Sequence, residues 1–108
     1  MPPEATERCI FSARLDCHYL LHIPPIVDER TLLVTALHGY GSNPDAMLRL
    51  TRTMLSSSHV IASIQAPSQF FSENKAGSGV GYCWATPAHP ESSVRLHHEM
   101  VLHVWNEV

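Results

Sequence analysis

An α/β fold with a mostly parallel sheet and covering helices is predicted from three neighbouring features of this chain. Thr31 to Leu37 is an aliphatic and β-branched run without polar alternation, the pattern of a central strand covered on both faces. Asn43-Pro44-Asp45 then opens an amphipathic helix, and Val60 to Ile64 forms a second compact apolar run. Strand, helix and strand follow one another at the spacing of a parallel crossover.

Residues 1–13 read as a polar leader containing proline and acidic residues, and residues 14–108 as one α/β unit. Arg14 to Ile23 alternates, with Leu15, Cys17, Tyr19, Leu21 and Ile23 on one side, which predicts a half-buried strand. Pro24-Pro25 ends it because proline donates no ladder hydrogen bond, and Asp28-Glu29-Arg30 supplies a polar turn. In the first helix Asn43 is the expected N-cap, Pro44 suits the first helical position, and Asp45 complements the positive end of the helix dipole. The helix is predicted to reach about Leu55, with Met47, Leu48, Thr51, Met54 and Leu55 forming the stripe that packs on the sheet. Ser56-Ser57-Ser58 connects it to the second strand, which Ala66-Pro67 terminates.

From Ser68 to Pro90 glycines, prolines and serines interrupt any periodicity, so a long excursion loop is expected. Its aromatic residues Phe70, Phe71, Tyr82 and Trp84 favour an ordered wall over a disordered linker. Glu91-Ser92-Ser93 starts a final helix in which Val94, Val101, Val104 and Val108 trace the expected core stripe, beside His98, Leu102 and Trp105. Neither a glycine nor a basic last turn closes that helix, which suggests that the domain continues past Val108.

Composition narrows the function classes. Ten acidic and seven basic residues give a net charge of −3, which supplies no basic field for nucleic acid and no polybasic membrane anchor. No apolar run approaches the roughly 18 residues that span a bilayer, and the leader has no basic segment followed by an apolar one. Cys9, Cys17 and Cys83 are odd in number and irregularly spaced, which suits a reducing compartment and makes the cytoplasm the expected location. Charged residues make up 16% against a typical value of about 25%, so some faces of so small an object should need covering.

The segment His38-Gly39-Tyr40-Gly41-Ser42, between the aliphatic strand and the helix, carries the functional signal. It resembles the oxyanion-hole turn of α/β-hydrolases, and more narrowly that of the carboxylesterase, lysophospholipase and acyl-protein thioesterase group, in which a strand ends in His-Gly before a helix. Ala66-Pro67 and Trp84 are also similar to that group. The resemblance implies the N-terminal half of an α/β-hydrolase fold, incomplete and ending before the nucleophile elbow. It implies further that the N–H of Tyr40 is one of the two oxyanion donors, the other following the nucleophile. Gly39 and Gly41 let the backbone turn and leave room for substrate. His38 is expected to brace the loop rather than to act as the triad base, Ser42 to help cap the helix, and Trp84 to contribute to a substrate wall.

No catalytic residue of the triad is expected within these residues. A Gly-x-Ser-x-Gly elbow needs glycines two places either side of the serine, and Ser78 has Ala76 and Val80 there. His18 and His22 sit on a strand with their ring origins about 13 Å apart, too far to share an ion. With no Cys-x-x-Cys pair either, no metal site is expected. Gly77-Ser78-Gly79-Val80-Gly81 lacks the lysine of a phosphate loop, so no cofactor is expected. The predicted function is therefore that of a serine-dependent ester or thioester hydrolase of which this chain supplies half the oxyanion hole and which is inactive alone. The alternative is a non-catalytic α/β binding or regulatory module that pairs through an open sheet edge, with itself or a partner chain, or holds an acyl ligand.

Overall fold

The computed structural model describes residues 4–55, 58–71, 79–84 and 88–108. The described elements, in chain order, are β1 (Tyr19–His22), β2 (Leu33–Leu37), α1 (Pro44–Met54), β3 (Val60–Ile64), β4 (Ser68–Phe71), β5 (Val80–Cys83) and α2 (Pro90–Glu107). The result is a small mixed α/β unit with two sheets and two helices. Ser56 and Ser57 of the predicted connector, and Gly77 and Ser78 of the predicted loop, lie outside the described residues.

The larger sheet has the order β1-β3-β2. β2 and β3 run parallel, from Leu33 opposite Val60 to Leu37 opposite Ile64, joined by α1 as the spacing predicted. β1 runs antiparallel to β3, so one of the two pairings departs from the mostly parallel expectation. The central strand is β3, buried at every position, whereas β2 is only partly buried at Leu33, Val34 and Thr35. Among the described residues β2, which carries no charge, thus lies at an edge, because β3 receives both neighbours.

β3 faces two ways. Ile61 and Ser63 point to the α1 side, where the Ser63 hydroxyl donates to the Pro44 carbonyl at 2.8 Å and ties the start of the helix to the sheet. Ala62 and Ile64 point to α2 and form the core with Met100 and Val104. Fully burying a side chain such as Ile61 or Ile64 stabilises the fold by about 1.5–3 kcal/mol, so β3 is the main anchor of both layers.

α1 begins as its sequence dictates. Asn43 has extended backbone angles, its side-chain oxygen accepts from Ala46 N at 2.8 Å, and Pro44 follows in the first turn. Thr51 is buried and Met47, Leu48 and Leu55 are partly buried, while Met54 is largely exposed and drops out of the expected stripe because the helix ends there. The α2 stripe also differs from the expectation. Leu96, Met100 and Val104, four residues apart, face the core with Val101 at its margin, whereas Val94, Leu102, Trp105 and Val108 are exposed. Of the expected valine stripe, Val104 lies in the core and Val101 packs against it, while Val94 and Val108 fall outside the face that α2 turns to the sheet.

Two further expectations are corrected. The strand predicted from Arg14 is confined to Tyr19–His22, with one added bond from Gln65 N to His18 O at 2.9 Å. The partner, β3, offers no longer ladder, and Leu21 is exposed rather than inward. The predicted loop from Ser68 contains the antiparallel pair β4 and β5, with Gln69 opposite Tyr82 and Phe70 opposite Gly81. Its aromatic and β-branched residues suit a pleated surface, which the flanking breakers obscured.

Candidate functional site

The turn after β2 is built from its hydrogen bonds. Ser42 N donates to Gly39 O at 3.1 Å, closing a four-residue turn whose third residue, Gly41, has φ of 74°. That positive angle is the mark of a type II turn and is strained for any residue with a Cβ. Gly41 N donates to Tyr82 O at 2.9 Å, and Tyr82 N donates to Ser42 O at 3.1 Å. These two bonds dock the turn onto β5.

The docking requires a second glycine. A Cβ on Gly81 would stand 2.7 Å from the carbonyl oxygen of Gly41, so only glycine lets the two backbones meet. A Cβ on Gly39, by contrast, would meet nothing within 4 Å, and its φ is not positive. The fold explains Gly41 and Gly81 but does not require Gly39.

His38 braces the turn from inside. It is 3% exposed, and its Nε2 accepts from Ala66 N at 3.0 Å while its Nδ1 lies 2.8 Å from Gly39 O. A bare Nε2 assigns the ring proton to Nδ1, which donates to Gly39. Both ring nitrogens are therefore engaged within the fold. Its own carbonyl accepts from Trp84 Nε1 at 2.8 Å, and the two rings lie 5.3 Å apart at 34°. Trp84 therefore ties its segment to the β2 terminus, and the Trp84 carbonyl receives a hydrogen bond from the His97 ring on α2. Partial burial, and next the charge of neighbouring His98, lower the His97 pKa below its ordinary value.

The amide of Tyr40 is different from its neighbours. Gly41 N and Ser42 N both donate within the turn, whereas Tyr40 N has no hydrogen-bond partner among the described residues. The residue is 80% exposed, and its ring stacks on Phe70 with centroids 5.3 Å apart at 26°. The Tyr40 amide thus lies in the turn that follows β2, next to Gly39, where an added Cβ would meet nothing within 4 Å. Among the described residues Ser42 makes backbone bonds only, and the helix cap comes from Asn43.

Away from the turn, residues 13–19 and α2 enclose a groove of about 810 Å³ floored by Ile64 and Met100. Cys17 lines it, and desolvation followed by the charges of Asp16 and Glu99 raises its thiol pKa, which disfavours the thiolate. Among the described residues no group of three or more His, Cys, Asp or Glu could hold a metal ion, and no helix is long and apolar enough to cross a membrane.

Sequence reasoning named His38, Tyr40 and Trp84 without their connections. Ala66, Phe70, Gly81 and His97 were missed as supports. Gly81 alone carried a legible signal, since a glycine between Val80 and Tyr82 in a strand-like run points to close backbone approach. The chain matches no family model, no curated protein and no solved structure.

Proposed function

We propose that residues 38–42 supply half of the oxyanion hole of a serine-dependent hydrolase of carboxylic esters or thioesters, with Tyr40 N–H as the donor. The nucleophile and its base come from outside the 108 residues. One observation carries this reading: the Tyr40 amide has no described partner in a turn whose next two amides both donate. Acyl transfer develops negative charge on the carbonyl oxygen, and a donor held by the surrounding turn stabilises it without reorienting. His38 and Tyr82 hold the turn, Gly39 leaves the approach open, and the Tyr40–Phe70 pair offers an apolar surface to an acyl chain. Cys9, Cys17 and Cys83 carry no disulfide, which fits a reducing compartment and a cytoplasmic enzyme.

Titration of the ¹⁵N-labelled chain with hexanoate, a carboxylate product of ester cleavage, tests the donor. The Tyr40 amide proton should move downfield and saturate while those of Gly41 and Ser42 stay nearly still. Equal movement of all exposed amides, or none at Tyr40, contradicts the proposal. In turnover of a p-nitrophenyl ester the chain alone should match buffer. In a longer polypeptide carrying the serine, exchanging the Tyr40 peptide N–H for an ester oxygen should lower kcat by about 10²–10³.

A further inference from the structure

The direction of the Tyr40 N–H is set by a line of contacts that reaches back to α2. The Gly39 carbonyl and the Tyr40 N–H belong to one planar trans peptide, so they point opposite ways, and whatever holds the carbonyl aims the amide. Gly39 O is held by Ser42 N at 3.1 Å and by His38 Nδ1 at 2.8 Å. The imidazole is itself placed by two neighbours, since Ala66 N donates to its Nε2 and the Trp84 indole lies against it with centroids 5.3 Å apart.

Trp84 grips His38 twice and is gripped twice in turn. It follows Cys83, the last residue of β5, and its indole both packs on the His38 ring and donates from Nε1 to His38 O at 2.8 Å. Side chain and backbone of one residue are thus held together. From α2, the His97 ring meets the indole edge-on, with centroids 5.3 Å apart at 87°, and its Nε2 donates to the Trp84 carbonyl. Partial burial, and next the charge of His98, lower the His97 pKa, so near neutral pH the ring has a single N–H and the carbonyl claims it at Nε2. Leu96 and Met100 on either side pack with Trp84 against the β3 core, which anchors this stretch of the helix.

We propose that His97 is a positioning residue for the Tyr40 donor, acting through Trp84 and His38 without touching substrate. The role in catalysis rests on reading residues 38–42 as half of an oxyanion hole. A donor fixed in advance stabilises developing charge without reorganisation, and a peptide plane free to tilt loses that advantage. Without the His97 N–H, the Trp84 carbonyl has no partner among the described residues, and the indole is steered from the His38 side alone. The imidazole and the Gly39 carbonyl then gain freedom, and the Tyr40 N–H samples a wider range of directions. In this role α2 does more than cover the sheet.

His97→Phe keeps a ring beside the indole and removes the donor, whereas His97→Gln keeps an N–H able to reach the Trp84 carbonyl. In ¹⁵N spectra of the ligand-free chain, His97→Phe should move the Trp84 indole and Tyr40 amide signals, and His97→Gln should return both toward the parent positions. Hexanoate binding at Tyr40 should weaken by about 3- to 10-fold in His97→Phe, the equivalent of one hydrogen bond, and recover in His97→Gln. Trp84→Phe removes the indole donor, so adding His97→Phe to it should weaken binding no further, as expected of groups acting in series. The parent chain gives a readout that needs no variant: ring ¹⁵N signals should show His97 protonated at Nε2 and His38 at Nδ1, each in a single tautomer. Tautomer averaging at His97 overturns the proposal. So do additive losses with Trp84→Phe, or indole and Tyr40 signals that His97→Phe leaves in place while only the urea midpoint falls. If hexanoate does not move the parent Tyr40 amide, the hydrolase reading fails, and the ligand-free signals still decide whether His97 positions the turn.

Discussion

Replacing His38 with phenylalanine preserves a ring against Trp84 while deleting both hydrogen bonds that the imidazole makes. The amide of Ala66, a residue with 0% exposure, then has no acceptor, and a buried unsatisfied donor costs about 1–3 kcal/mol. Loss of the Nδ1–H bond to Gly39 O adds roughly 0.5–1.5 kcal/mol, for a total of about 1.5–4.5 kcal/mol. That is a large part of the stability of about 5–15 kcal/mol typical of a small domain. Urea unfolding followed by circular dichroism should show a lower midpoint at unchanged m-value. Hydrogen exchange at the Ala66 amide should accelerate. His38→Gln, whose side-chain oxygen can accept from Ala66 N, should recover part of the loss. A change below about 0.5 kcal/mol, within the range of ordinary surface substitutions, would refute the bracing role, as would unchanged exchange at Ala66.

Two glycines should separate scaffold from site. Gly81→Ala places a Cβ against the Gly41 carbonyl and should destabilise by about 1–3 kcal/mol in the same unfolding experiment. Gly39→Ala meets no neighbour, so stability should change by no more than about 0.5 kcal/mol while the hexanoate-induced shift at Tyr40 weakens. Asn43→Ala removes the acceptor for Ala46 N and should cost about 1 kcal/mol, measured by thermal unfolding. The lowered His97 pKa means that the unfolded chain binds more protons than the folded one in the region of pH 6.5 and just below. Its contribution to stability is complete above the ordinary value of 6.5 and is lost as pH falls through the folded value. Melting curves from pH 8 to pH 5 should therefore show a decline that His97→Asn reduces; an identical decline in that variant would exclude His97 as its source.

Local chemistry was legible wherever the deciding contacts lay close in sequence. Asn43-Pro44-Asp45 specified the start of α1 because the cap bond spans three residues, and the crossover followed from spacing alone. The turn was legible through its glycines, although only Gly41 adopts a backbone angle that demands one. The β4–β5 pair was not legible, because its partners are joined across a segment rich in breakers and are held in place by the backbone of Gly41 and Ser42. The α2 stripe was misplaced because several of its faces carry apolar residues, and the sheet selected the one with Leu96, Met100 and Val104.

By itself the sequence determined the strand-helix-strand unit, the capped start of α1 and the location of a glycine turn after the aliphatic strand, all consequences of short-range sterics and hydrogen bonding. Tertiary structure alone decided that β3 rather than β2 is central, since burial of a strand depends on its neighbours and not on its own composition. It alone also decided that His38 turns inward to Ala66, that Gly81 admits the Gly41 backbone, and that the Tyr40 amide has no described partner. Those features arise from groups distant along the chain, and a hydrogen bond between such groups exists only once packing has brought them together.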